Sequence, residues 1–221
     1  MTVLKKTLTL AVILIVLLLA PGVQAAYDPG WIISYYQNQA WSGTPIVTND
    51  QPYIKFATPN TIALYGYTSA VPDWPHSING MYQDFTITAD GYIDIPVADD
   101  YTFYTTSDDG VELFVNGVPI ISNTGDHGPT VDHNVVHLPA GYQHVVLNYR
   151  ENSYGDPTEE ASNNAAIIYL EYEADSMPRA FVPGLHLSTT PAPEFPSSVL
   201  PVTFIIGFMG AVLLIRRMNT R

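Results

Sequence analysis

Short runs of aromatic and β-branched residues alternate with glycine, asparagine, aspartate and proline through the middle of the chain. Such runs are typical of strands, and the residues between them are typical of turns. The clearest runs are Tyr82–Thr88, Tyr92–Val97, Val131–His137, Tyr142–Tyr149 and Ala166–Tyr172. No stretch of this region shows a clear apolar period of 3.6 residues, so few helices are expected. The pattern predicts an all-β fold, an antiparallel sandwich or barrel, within a domain of residues 26–175.

A turn signal separates the first two of these runs. The residues Ala89-Asp90-Gly91 lie between Tyr82–Thr88 and Tyr92–Val97. Because aspartate followed by glycine is a strong signal for a tight turn, the sequence predicts that these two strands form a hairpin.

A strand, a turn and a second strand are predicted in the stretch that follows. Tyr101–Thr106 contains only aromatic and β-branched residues, and Val111–Val115 can form the second strand. Between them, Ser107–Gly110 has the composition of a turn. The turn therefore places two adjacent acidic residues, Asp108 and Asp109, at the tip of this unit.

These two aspartates are a candidate metal site. Neighbouring side chains on an extended strand point to opposite faces, so Asp108 and Asp109 converge only if a turn or a cis peptide bond intervenes. Ca²⁺ binds several hard oxygen ligands and could hold both carboxylates. A solvated turn without a bound ion is the alternative.

The charge of the chain is strongly negative and unevenly distributed. All 21 acidic residues lie between Asp28 and Glu194, where the basic residues are Lys55, Arg150 and Arg179. Such a surface repels nucleic acid and attracts cations, so a nucleic-acid partner is not expected. The chain has no cysteine, which excludes disulfide bonds and thiol catalysis.

Residues 1–25 have the three parts of a secretory signal peptide. Lys5 and Lys6 form the basic region, Leu8–Ala20 forms the apolar region, and Val23-Gln24-Ala25 offers a cleavage site between small residues. A plain N-terminal membrane anchor is the alternative. The cleavage site favours secretion.

The C-terminal part has the composition of a stalk followed by a membrane segment. Proline is frequent in residues 176–198, which predicts an extended stalk. Val199–Ile215 is uncharged and almost entirely apolar, at the lower limit of length for a transmembrane helix. Arg216 and Arg217 follow it, which would leave the C-terminus in the cytoplasm and the β-domain outside. Residues 199–221 are therefore predicted to be a transmembrane segment with a basic tail.

The sequence YTFYTTSDDGVELFVNG, residues 101–117, resembles the central motif of the protective-antigen-type domain. The resemblance covers about residues 31–172 and includes WIISYY from residue 31, WSGTP from residue 41, LPAGYQH from residue 138 and YREN from residue 149. This domain is found in an anthrax toxin component, in yeast flocculins and as an insert in glycosidases. The resemblance implies an antiparallel β-sandwich.

The same resemblance implies a calcium site. In the flocculins, two consecutive aspartates joined by a cis peptide hold Ca²⁺ beside a second loop that contains an asparagine. Asp108 and Asp109 match the first loop, Asn152 is the best match in the second, and Glu151 is a close competitor. Residues 155–164 lengthen this second loop and leave its other ligands unassigned. In lectin members the ion also coordinates sugar hydroxyls, although many relatives with the aspartate pair are not lectins.

The C-terminal tail is similar to a second known signal. Pro193-Glu194-Phe195-Pro196, the apolar segment and the arginines together resemble the PEF-CTERM sorting signal of methanogenic archaea. That resemblance implies an archaeosortase partner, which removes the span and leaves the protein attached to the cell surface. A single-pass membrane anchor is the alternative, since motif, apolar segment and basic stop are the parts of either tail.

Other chemistry is less well supported by the sequence. His127, His133, His137 and His144 could suggest zinc, but without cysteine they are interpreted as surface histidines. No nucleophile with a base and no carboxylate pair stands out, so no enzymatic activity is predicted. Aromatic residues could form a platform for sugar binding, and Trp74 is the most loop-like of the three tryptophans; core packing is the alternative that accounts for most aromatic residues, and none is assigned to a binding site.

Together these observations predict a secreted protein that is anchored at the cell surface. Its predicted function is Ca²⁺-dependent carbohydrate binding or adhesion, with glycans or cell-envelope components as partners. The alternative function is a structural component of the cell envelope in which Ca²⁺ only stabilises loops.

Overall fold

The computed structural model describes residues 26–81, 84–152 and 165–187. These residues form strands and one short helix within a compact unit, Tyr27–Leu187. The elements are β1 (Tyr27–Pro29), β2 (Trp31–Tyr36), β3 (Val47–Gln51), β4 (Lys55–Ala57), α1 (Pro59–Tyr65), β5 (Phe85–Ile95), β6 (Asp99–Asp108), β7 (Val111–Val115), β8 (Val118–Asn123), β9 (Thr130–Leu138), β10 (Gly141–Glu151), β11 (Ile167–Ala174), β12 (Met177–Phe181) and β13 (Leu185–Leu187).

The strands form two antiparallel sheets. The eight-stranded sheet has the order β1-β13-β5-β10-β7-β8, and β2 pairs with both β5 and β3. The five-stranded sheet has the order β12-β11-β6-β9, and β4 pairs with β11. Most neighbours in these sheets are distant in sequence, so the fold depends on long-range pairing.

The core lies between the two sheets. Burial alternates along β2 and along most of β10, as expected when one face of a strand packs inside. Ile33, Ile87 and Leu147 from the larger sheet join Phe103 and Leu170 from the smaller sheet in one buried cluster. Burying each such side chain contributes about 1.5–3 kcal/mol. The arrangement confirms the predicted all-β antiparallel fold and is that of a β-sandwich.

The helix α1 is short because strong signals begin and end it. The Thr58 side chain accepts a hydrogen bond from the Thr61 backbone N–H, 3.3 Å away, and Pro59 occupies the first turn. Gly66 ends the helix with a left-handed φ of 74°. In the part of the chain that the structure describes, helix is therefore scarce, as predicted.

The predicted hairpin at Ala89-Asp90-Gly91 is wrong. β5 continues through these residues and pairs with β10 from Phe85 to Ile95. A Cβ atom on Gly91 would lie 2.8 Å from Cε3 of Trp31 and 2.9 Å from the backbone oxygen of Leu185. The glycine thus permits close packing within a strand and does not mark a turn.

The β structure also extends beyond the predicted domain end at residue 175. β12 pairs with β11, and β13 pairs with β1 and β5. Between them, Val182 is fully buried. Residues 176–187 are the predicted start of the stalk, but they belong to the sandwich. The pairing of β12 and β13 with other strands and the burial of Val182 hold them in place.

Several sequence predictions lie outside the described residues. They are the signal peptide (residues 1–25), the loop insertion at residues 155–164, the sorting motif near residue 194 and the transmembrane segment (residues 199–221). Within residues 26–81, 84–152 and 165–187, no helix is both long enough and apolar enough to cross a membrane.

Candidate functional site

Three acidic side chains meet where β6, β7 and β10 reach one end of the sandwich. The carboxylates of Asp108, Asp109 and Glu151 each offer an oxygen, and these oxygens lie within 4.8 Å of one another. We call this group the carboxylate cluster. The peptide bond between Asp108 and Asp109 is cis. The oxygen distances show that the two adjacent aspartates converge, as the calcium hypothesis requires.

The register of β10 explains why Glu151 joins the cluster. Tyr149 of β10 pairs with Val111, the first residue of β7. The backbone N–H of Arg150 then donates to the backbone oxygen of Gly110, 2.8 Å away. Glu151, the next residue of β10, consequently lies beside the aspartates that precede Gly110.

Asp109 connects three segments of the chain. One of its side-chain oxygens accepts a hydrogen bond from the backbone N–H of His127, 2.8 Å away. The other accepts one from the backbone N–H of Asn152, 3.0 Å away. Asp109 is only 8% exposed. This side chain therefore fixes the loop after β8 and the end of β10 against the tip of β6.

A buried tyrosine, Tyr149, contacts the other two acids of the cluster through its hydroxyl. The hydroxyl of Tyr149 lies within hydrogen-bond distance of the backbone oxygen of Asp108 and of Oε2 of Glu151, and its single proton is shared between these two acceptors. Burial, followed by the charge of Glu151, raises the pKa of Tyr149 well above its ordinary value, so the hydroxyl stays protonated. The Gln39 side-chain amide donates to the backbone oxygen of Glu151, and the Trp41 indole N–H donates to that of Tyr149.

The electrostatics of the cluster favour a bound cation. Burial, and then the charge of Asp109, raises the pKa of Asp108 to about 7. Burial also raises the pKa of Asp109, although hydrogen bonds from the Asn152 and His127 backbones oppose that shift. The nearby guanidinium of Arg150 pairs with Asp126. Ca²⁺ prefers hard oxygen ligands, and the charge of such an ion would offset the repulsion between these partly dehydrated carboxylates.

The structure places the predicted site residues in different roles. Asp108 and Asp109 come together with Glu151, the predicted competitor of Asn152. Asn152 lies beside them through its backbone N–H, while its side-chain amide donates to Oδ2 of Asp126, 3.0 Å away. The sequence reasoning missed Asp126. Its only sequence signal is the turn composition of the residues around it, which is common in loops.

We expect Asp108→Asn to stabilise the protein when calcium is removed. A raised pKa in the folded state means that ionised Asp108 destabilises the fold; this penalty is absent below about pH 4 and complete above about pH 7. Because Asp108 is partly exposed, we expect a gain of only about 1 kcal/mol at pH 8, or about 2–4 °C in melting temperature.

Thermal unfolding in chelator at pH 8 and at pH 4 measures this effect. Asp100→Asn is the matched control, because the Asp100 side chain is 69% exposed in a second Asp-Asp pair. A melting temperature for Asp108→Asn that equals or falls below that of the wild type at pH 8 would contradict the penalty assigned to ionised Asp108, which comes first from burial and then from the charge of Asp109.

A domain of two antiparallel sheets with an acidic site at one end belongs to the class of β-sandwich domains. Within that class, the PA14 domain family matches residues 28–147, which is more than half of the chain. The chain therefore belongs to the PA14 domain family. No curated protein matches the sequence.

Solved structures show the same fold. An anti-sigma factor domain-containing protein aligns with a TM-score of 0.58 and 23% identity, over 76% of this chain and 51% of that chain. A PA14 sugar-binding domain from an RTX adhesin aligns with a TM-score of 0.50 and 16% identity, over 72% and 98%. Epithelial adhesin 9 A domain from Candida glabrata, in complex with Galb1-4GlcNAc, aligns with a TM-score of 0.52 and 12% identity, over 77% and 94%. This chain spans about half the length of the anti-sigma factor protein.

Proposed function

We propose that this protein is a non-catalytic module that binds carbohydrate or mediates adhesion at the cell surface in a Ca²⁺-dependent manner. The observation that carries the proposal is the carboxylate cluster, which gathers three acidic side chains at the loop end of a PA14 domain. Two structural neighbours are described as a sugar-binding domain and an adhesin, which supports carbohydrate as the ligand class.

The residues present fit a calcium ion. Asp108, Asp109 and Glu151 would supply carboxylate oxygens, and Asn152, whose backbone N–H donates to Asp109, is proposed as a further ligand. A bound Ca²⁺ would offer its open coordination positions to the hydroxyl groups of a sugar. The chain itself orients these ligands, because Tyr149 and two backbone N–H groups hold the carboxylates in place.

A binding role is favoured over a catalytic one because two of the three acids of the cluster are buried. Glu151 is 1% exposed and Asp109 is 8% exposed. A general acid or base must reach the proton of its substrate within hydrogen-bond distance. Carboxylates whose oxygens already accept backbone and tyrosine hydrogen bonds are suited to hold an ion.

The rival function is structural, and one observation favours it. Asp109 already joins the His127 loop and the end of β10 by hydrogen bonds. An ion at this position would strengthen the same connections without any sugar. The protein would then be a component of the cell envelope with calcium-stabilised loops.

Calcium-dependent glycan binding is the test of the proposal. We expect the protein, multimerised to gain avidity, to bind a subset of a glycan array in millimolar calcium and to lose this binding in chelator. The monomer should bind with roughly millimolar affinity, because a few hydroxyl contacts offset little more than the cost of immobilisation. Calcium-induced stabilisation without any calcium-dependent glycan binding would favour the structural function.

The proposed surface anchoring rests on the tail sequence, in which the PEF motif, the apolar span and the arginines follow one another. If an archaeosortase processes the tail, mass spectrometry of native protein should find a C-terminus between Pro193 and Ser198. Recovery of native protein that still carries Arg216 and Arg217 would instead indicate a single-pass membrane anchor.

A further inference from the structure

We propose a second carbohydrate-binding site, independent of Ca²⁺, on the outer face of the eight-stranded sheet. An open groove of about 530 Å³ lies there, lined by side chains from β2, β5, β10 and β13. This volume falls in the range of small-molecule binding sites. The proposal goes beyond the calcium-dependent function, because the groove does not involve the carboxylate cluster.

Aromatic rings on the solvent side of the sheet lie in the groove and extend beyond it as a row. Tyr92 and His144 line the groove, with ring centroids 5.1 Å apart. Tyr27 continues the array at 5.1 Å from Tyr92, and Tyr142 follows at 4.3 Å from Tyr27. These residues lie outside the core cluster, and Tyr142 is 45% exposed. Rings that do not fill the core can stack on the apolar faces of sugar rings.

Polar groups lie beside the rings. Nε2 of His144 and Oδ1 of Asp90 are 2.9 Å apart, and their side chains are 38% and 56% exposed. The hydroxyls of Ser34 and Thr88 line the same groove. Carboxylate, imidazole and hydroxyl groups together can both accept and donate hydrogen bonds, which is what a ligand with many hydroxyls requires.

The charge of the groove disfavours an anionic ligand. Asp90 is its acidic lining residue, and neither lysine nor arginine is among the described residues that line it. The chain as a whole carries a net charge of −13, so an anionic ligand would be repelled. A purely apolar ligand would remove water from the Asp90 carboxylate without offering it a hydrogen bond, which costs free energy. Aromatic faces together with exposed hydrogen-bonding groups fit a neutral oligosaccharide.

The groove and the carboxylate cluster are separated along β10. His144 lines the groove, whereas Glu151, seven residues further along the strand, belongs to the cluster. At about 3.3 Å per residue, this spacing is about 23 Å. We therefore expect the groove to keep its ability to bind a ligand when calcium is removed by a chelator.

Affinity electrophoresis in chelator tests the second site. The protein, solubilised in detergent, is run in native gels that contain a neutral polysaccharide: amylopectin, galactomannan, xyloglucan or mannan. We expect at least one of these polymers to retard the wild type in the presence of EDTA. Tyr142→Ala and Tyr92→Ala should each weaken that retardation about tenfold, because each removes a stacking ring.

Tyr65→Ala is the matched control, since Tyr65 is 55% exposed and lies at the end of α1, outside the groove. It should be retarded like the wild type. Tyr142→Ala removes a half-exposed side chain, so its effect can be read even if Tyr92→Ala folds poorly. The proposal is overturned if none of the four polymers retards the wild type in EDTA, or if Tyr142→Ala is retarded as strongly as the wild type. Binding that is seen only with calcium would support the carboxylate cluster alone.

Discussion

Trp74→Ala is expected to lower the free energy of unfolding by about 3–5 kcal/mol, which lowers the melting temperature by about 10 °C or more. Trp74 is fully buried although it lies between α1 and β5, outside regular structure. Its ring stacks on Phe56 with centroids 5.5 Å apart and meets Phe85 edge-on at 5.5 Å. It also packs 6.1 Å from Tyr149, which supports the carboxylate cluster.

Chemical or thermal unfolding measures this loss. Trp74→Phe should lose less, because a phenyl ring keeps part of the stacking and fills part of the volume. Tyr65→Ala, which truncates an exposed aromatic residue, should change the free energy of unfolding by no more than about 0.5 kcal/mol. If Trp74→Ala melts within a few degrees of the wild type, the segment that contains Trp74 is not part of the sandwich core.

The sequence predicts strands correctly in several runs that contain aromatic or β-branched residues between turn residues. Val131–His137 and Tyr142–Tyr149 lie within β9 and β10, and along most of β10 burial also alternates, as expected for a strand with one face in the core. The hairpin prediction failed at Gly91, because the sequence does not distinguish a glycine that makes room for the Trp31 ring from a glycine that permits a turn. The predicted domain also ended before β12 and β13. Short strands carry little local signal, and the pairing partners of β13, which are β1 and β5, lie far away in sequence.

The candidate site was predictable only in part, for a similar reason. Asp108 and Asp109 are adjacent in sequence, so the turn composition places them together at the tip of a strand unit, and the family resemblance adds that they are candidate calcium ligands. The choice between Glu151 and Asn152 depends on a single residue of register between β10 and β7, which the tertiary fold sets. Asp126 is brought to Arg150 and Asn152 by a loop about 25 residues away in sequence, and turn residues in a loop do not indicate their distant partners.

Asp109→Ala is expected to abolish calcium-induced stabilisation. Extracellular calcium modules bind at roughly 10⁻⁴–10⁻³ M, and an ion at about ten times its dissociation constant stabilises the fold by roughly 1.4 kcal/mol. For a domain of this size, that gain is a rise of about 3–6 °C in melting temperature. Asp109 is central to this effect, because it offers a charged ligand and also fixes the loops on both sides of the cluster.

The measurement is the difference in melting temperature between millimolar calcium and chelator, so each variant serves as its own reference. Glu151→Gln should lose most of the difference, since it removes a carboxylate of the cluster, and Asn152→Ala should reduce it. Asp100→Ala should retain the full shift, because its exposed carboxylate lies in the pair Asp99-Asp100, outside the cluster.

Equal melting temperatures of the wild type in calcium and in chelator would instead identify Asp108 and Asp109 as a solvated turn. A normal shift in Asp109→Ala would place the calcium site elsewhere in the protein.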